Sequence, residues 1–223
     1  MAVLDPDASH QPLILAALLS YPEEDALGAL RDLLPEAPWL AAPIAELGRL
    51  TLGQWQGEHT RLFVTGYPGT PCPPFESAYR QGMMGGTAVG ELVDLYRRAG
   101  LEARGAAADY LGTQLECLVL IGERADPAGQ ELARELWDDH LRHWLPRFAG
   151  DLQVHGELQL YRVLGERLAR LRGPTSAWEA QVAGPGRQRN GAGTETETGT
   201  GTGSESRTGT GTEGSPSREG VGS

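Results

Sequence analysis

Thr87-Ala88-Val89-Gly90-Glu91-Leu92-Val93-Asp94-Leu95-Tyr96-Arg97-Arg98-Ala99-Gly100 decides the fold class. Val89, Leu92, Val93 and Tyr96 recur at the three-to-four-residue spacing of one helical face, Thr87 stands where an N-cap belongs, and Gly100 is a natural C-terminal stop. The same period continues downstream. Leu111, Leu115, Leu118 and Val119 form one stripe. Leu132, Leu136, His140 and Trp144 form another, behind an Asp126 cap with Pro127 at the first helical position. Tyr161, Leu164, Leu168 and Leu171 form the last.

Upstream, Trp55, His59, Leu62 and Phe63 follow Thr51 and Gln54, which read as a capping box. A shorter helix is expected through Ile44, Leu47 and Leu50, and another over residues 23–34. Leu13, Ala16, Ala17 and Ser20 share a face of a first helix that the Tyr21-Pro22 step ends, since a residue before proline avoids helical angles. Few stretches alternate apolar with polar residues, so the expected fold is all-α: a single-domain helical bundle over residues 1–173. That length buries enough surface to fold without disulfides or metal.

Two segments break the pattern. Gly66, Pro68, Gly69, Pro71, Pro73 and Pro74 force an irregular loop between helices. Residues 174–223 hold 12 Gly and 9 Thr, and Val221 is the only large apolar side chain beyond Gly184. Such a stretch cannot offset its ordering entropy, so it is expected to be a disordered, dispensable tail.

The chain contains no lysine: its 19 basic residues are all Arg, against 30 acidic ones, for a net charge of -11. An acidic surface disfavours nucleic acid and attracts cationic partners. The missing amine also excludes phosphate-binding loops of the GxxxxGK[ST] type, kinase catalysis and Schiff-base chemistry. There is no GxSxG or HExxH motif. Cys72 and Cys117 make neither a disulfide framework nor a zinc set, which fits a reducing compartment. No signal peptide or membrane span is expected, because the apolar run 13–19 is too short. His140 and His143, three apart beside Asp138 and Asp139, lack a third ligand by spacing. The Gly82 to Gly86 stretch lacks the strand and lysine of an anion cradle. No metal, no cofactor and no enzymatic activity are expected.

Three segments in order carry a resemblance: Glu58-His59-Thr60-Arg61-Leu62-Phe63; Pro71-Cys72-Pro73-Pro74-Phe75-Glu76-Ser77-Ala78-Tyr79; and residues 96–101 leading to Asp109-Tyr110-Leu111. Together they resemble the TorD, DmsD and NarJ superfamily of redox-enzyme maturation chaperones, from about His10 to Arg172. The resemblance implies an all-α cytoplasmic chaperone of the TorD-like type, a monomer or homodimer. Its partner would be the apo form of a molybdopterin-dependent oxidoreductase of the dimethyl-sulfoxide-reductase type, held by its twin-arginine leader until the cofactor is inserted. The alternatives are a small guanine-nucleotide-binding or hydrolysing enzyme and a structural subunit of the oxidoreductase.

The family's Asp-His pair, implicated in signal-peptide binding, matches Asp109 and Tyr110, so the aspartate is kept and the histidine is replaced. Gln114 stands where many relatives carry glutamate. An arginine pair followed by an apolar stretch needs carboxylates beside an apolar groove, and Glu76 and Asp109 are the candidates. Tyr110 can offer a stacking face and a hydroxyl. The expected signal-peptide-binding residues are therefore Asp109, Tyr110, Glu76, Tyr79 and Gln114. Three of them have a structural alternative: Glu76 pinning its loop through backbone amides or Arg61, Asp109 capping a helix, and Tyr79 with Phe75 anchoring the core.

Overall fold

A computed structural model describes residues 10–174 apart from 67, 68, 83, 84, 104–106 and 125. The expected tail falls almost wholly outside the described residues. Ten α-helices occur among them: α1 Gln11–Ala17, α2 Ala26–Asp32, α3 Ala41–Leu47, α4 Leu52–Phe63, α5 Glu76–Gln81, α6 Thr87–Arg98, α7 Leu111–Gly122, α8 Pro127–Glu135, α9 Arg142–His155 and α10 Gln159–Arg170. A short 3₁₀ turn, Pro38–Leu40, precedes α3, and a π-helical turn, Leu136–Leu141, joins α8 to α9. No strand is present among the described residues, and one isolated β-bridge pairs Phe75 with Tyr110. The fold is all-α.

Local signals place several helix starts as expected. Thr51 Oγ1 accepts from Gln54 N at 3.2 Å while Gln54 Oε1 accepts from Thr51 N at 2.9 Å, the reciprocal pair of a capping box. Asp126 Oδ1 accepts from Gly129 N at 2.7 Å, ahead of Pro127. α6 differs. Its cap position is Gly86, at φ 89°, and Thr87 is already helical. The Gln81 side chain supplies the cap: oriented to satisfy both ends, its amide donates to Gly85 O at 2.8 Å and accepts from Thr87 N at 3.2 Å.

Packing partners decided which apolar residues face inward. α6 lies against α5 and the π-turn and buries Ala88, Leu92, Leu95 and Tyr96, leaving Val93, expected in the core, 48% exposed. In α1, which packs on α7, and in the turn that follows it, Ile14, Leu15 and Leu18 are buried while Ala17 and Ser20 face out. α2 is shorter than the expected 23–34 because residues 23–26 form a turn, with Ala26 N donating to Glu23 O at 3.1 Å. α7 is buried on nearly every side. The consecutive helices α9 and α10, the most extensively packed pair, approach where a Cβ on Gly165 would lie 2.6 Å from Ala149 O, so only glycine allows that approach.

His59 ties three elements together. Its ring is buried among Tyr21, Phe63 and Tyr161, and Nε2 lies 3.1 Å from Leu19 O. A carbonyl only accepts, so Nε2 carries the proton, and Nδ1 has no partner. Burial pushes the imidazole below its ordinary 6.5, against a smaller opposing effect of the Leu19 bond. The unfolded chain therefore binds a proton that the folded ring refuses, and stability is lost as pH falls below about 6.5. Urea unfolding at pH 7.5 and 5.5 should show this loss, and His59→Phe should reduce it.

Candidate functional site

The proline-rich loop and the segment before α7 lie side by side. Glu76 N donates to Asp109 O at 3.0 Å and Leu111 N to Pro74 O at 2.9 Å, framing the Phe75–Tyr110 bridge. Proline supplies no amide donor and fixes φ, so on this side the short pairing uses the Pro74 carbonyl as acceptor and the Glu76 amide as donor. Motifs more than 30 residues apart in sequence are thereby joined, and Glu76, Asp109 and Gln114 form one buried network.

Glu76 is its hub. At 0% exposure, its Oε1 accepts from His140 Nδ1 at 2.9 Å and from Arg80, and its Oε2 accepts from Gln114 Nε2 at 3.0 Å. Arg80 also donates to Asp139 O of the π-turn at 3.2 Å. The expected partner Arg61 is elsewhere: its guanidinium holds Glu58 at 2.7 and 2.9 Å. Glu76 and Arg80 are one helical turn apart, but the His140 bond exists only in the tertiary structure. Gln114 Nε2 also reaches Asp109 O at 3.2 Å, and Gln114 Oε1 is left without a donor.

Asp109, 2% exposed, does not cap its own helix: α7 starts after Tyr110 with no side-chain cap. Its carboxylate instead accepts from Ser77 N at 3.2 Å and Ser77 Oγ at 2.5 Å, serving the first turn of α5 from outside. Ser77 Oγ in turn accepts from Gly85 N at 3.1 Å. Asp109→Asn keeps the shape but loses a charge-assisted acceptor at a buried site, so it should cost roughly 1.5–3 kcal/mol of stability. Chemical denaturation measures this directly.

Neither tyrosine offers its hydroxyl outward. Tyr110 Oη donates to Leu19 O at 3.0 Å and its ring lies against Phe75, centroids 5.7 Å apart. Burial, with a smaller effect of Glu116, pushes that hydroxyl up to about 12. A Cβ on Gly112 would stand 2.5 Å from the Tyr110 ring, so glycine is what lets the ring lie there. Tyr79 Oη donates to Asp151 Oδ2 at 2.9 Å, and its ring packs between Trp144 and Phe148 with the Arg147 guanidinium 5.4 Å from its centroid. Its surroundings are those of a core anchor.

The open surface beside this network was not foreseen. A cavity of about 500 Å³ lies along α6, lined by Val89, Val93, Tyr96, Leu101, Ala103 and Ala108 among others. A second, about 260 Å³, lies against α7 and shares Leu101, Glu102 and Ala103 with the first. Tyr96 Oη donates to Ala108 O at 2.9 Å, so the residue before Asp109 forms a fixed wall of the larger cavity. Among the described residues no cluster of His, Cys, Asp or Glu suits a metal ion, and no helix is long and apolar enough to cross a membrane.

The sequence profile of the nitrate reductase delta subunit family matches residues 17–150, from within α1 to within α9. No curated protein matches significantly. The crystal structure of a candidate redox enzyme maturation protein from Archaeoglobus fulgidus is 25% identical in sequence and superposes with a TM-score of 0.54. That superposition covers 73% of this chain and 91% of the other. A profile match over more than half of the chain, on an all-α fold shared with a maturation protein, places this chain in the nitrate reductase delta subunit family, the TorD/NarJ group of redox-enzyme maturation proteins.

Proposed function

We propose that this protein is a non-catalytic cytoplasmic chaperone that binds the twin-arginine leader and apo form of a molybdopterin-dependent oxidoreductase, of the dimethyl-sulfoxide-reductase type, until its cofactor is inserted. The observation that carries this reading is the family match, which spans both the proline-rich loop and the Asp109-Tyr110 segment. The adjacency of those two motifs supports it further. In this reading Asp109, Glu76, Gln114, Tyr110 and Tyr79 hold the wall against which the leader lies, because the two carboxylates, the two hydroxyls and the Gln114 amide nitrogen are bonded within the fold. The molybdenum cofactor belongs to the client.

The test is affinity isolation of the full chain from the cytoplasmic fraction of cells that make it. The expected result is a cofactor-free oxidoreductase subunit that still carries its leader, with recovery falling when the leader's arginine pair becomes glutamine. Finding the chain at fixed stoichiometry in the mature exported enzyme would instead make it a structural subunit.

A further inference from the structure

The outer faces of α6 and α7 leave an unexplained surface. Val93 and Leu120, 48% and 51% exposed, line the two cavities on either side of Leu101 and Ala103. Apart from the exposed Glu116, the rest of α7 is buried, so packing within the chain accounts for its other faces and not for Leu120. Isolated exposed apolar residues need no explanation, but here they line concave, mostly apolar space of ligand size.

The rim of that space carries an exposed carboxylate, Glu116 of α7. Arg97, the basic residue lining the larger cavity, has a guanidinium held by Asp94 at 2.8 Å. Glu116 and Leu120 are four residues apart on α7, so their Cβ atoms lie about 5–6 Å apart on one face. The bonds from Tyr96 to Ala108 and from Ser77 to Asp109 hold the adjoining wall before anything binds, which lowers the ordering cost of association.

We propose that these two cavities form one docking groove for a cationic, apolar peptide segment. Its apolar side chains contact Val93, Leu101 and Leu120, and its basic group faces Glu116 about one helical turn away. This rests on the chaperone reading, with the client leader as occupant, and assigns its charge selectivity to Glu116 on the rim rather than to the buried Asp109 and Glu76.

The experiment titrates a synthetic leader peptide, with its arginine pair intact or changed to glutamine, into the full-length protein by calorimetry at low and moderate salt. Val93→Asp and Leu120→Asp, surface changes whose folding is checked by melting, should each weaken binding about tenfold or more. Glu116→Gln should weaken it severalfold, flatten the salt dependence, and have no effect on the glutamine peptide, the non-additivity that marks a direct pair. Val154→Asp, at a 76% exposed position on α9 away from the groove, should bind as wild type. If the leader binds wild type and both aspartate variants equally, the groove assignment fails while the chaperone reading stands. If wild type binds no leader and no apo-oxidoreductase copurifies, both fall.

Discussion

Glu76→Ala should lower stability by about 3–5 kcal/mol, the loss expected when one member of a buried charged network is removed. The physical reason is what stays behind. Arg80 is partly exposed and can turn to water, but the buried donor His140 Nδ1 would face an empty space and Gln114 Nε2 would keep only its bond to Asp109 O. At roughly 2–4 °C per kcal/mol for a chain of this size, the melting temperature should fall by about 6–20 °C. Glu76→Gln should cost much less. The new amide still accepts from one side, and its nitrogen can donate to Gln114 Oε1, which has no donor in the native network. Equal losses in the two variants would show that volume, not hydrogen bonding, governs the position.

Trp144→Ala should cost about 3–5 kcal/mol by the transfer and cavity effects of deleting a large buried ring. The indole is fully buried, with Tyr79 at 5.5 Å and Phe148 at 5.8 Å between ring centroids. Its Nε1 has no partner, so the ring contributes through packing alone. Trp144→Phe should therefore recover most of the loss, since it removes an unsatisfied donor while keeping an aromatic surface. Thermal unfolding of the pair decides the point. If Phe is as damaging as Ala, the full volume of the indole, and not an aromatic surface alone, is what the site requires.

These effects bear on how Tyr79 and Glu76 are to be understood. Both stand in the sequence motif that carries the family resemblance, and both are buried in the fold. Changes at either position will alter stability and binding together, so a binding measurement alone cannot assign them a contact with the client. Val93, Glu116 and Leu120 are better probes because substitution there leaves the core intact.

The all-α fold was legible in the sequence because the 3.6-residue period, capping residues and proline interruptions are local properties. The Thr51 box and the Asp126-Pro127 start follow from nearest neighbours, and the stripes Leu111 to Val119 and Tyr161 to Leu171 are buried as expected. α6 shows where that reasoning stops. Leu92, Val93, Leu95 and Tyr96 are too many apolar residues for one face, and only the positions of α5 and the π-turn determine that Leu95 is buried while Val93 faces out.

The candidate site divides the same way. The sequence by itself named the loop, the Asp109-Tyr110 segment and Gln114, because residue identity and order carry the resemblance. Only the tertiary structure brought His140 to Glu76, turned the Asp109 carboxylate onto Ser77 and tied the Tyr110 hydroxyl to Leu19. Those bonds cross 64, 32 and 91 positions of chain, distances over which no periodicity or local propensity acts. A buried polar group takes whichever partner the packed helices deliver, and that choice belongs to the fold.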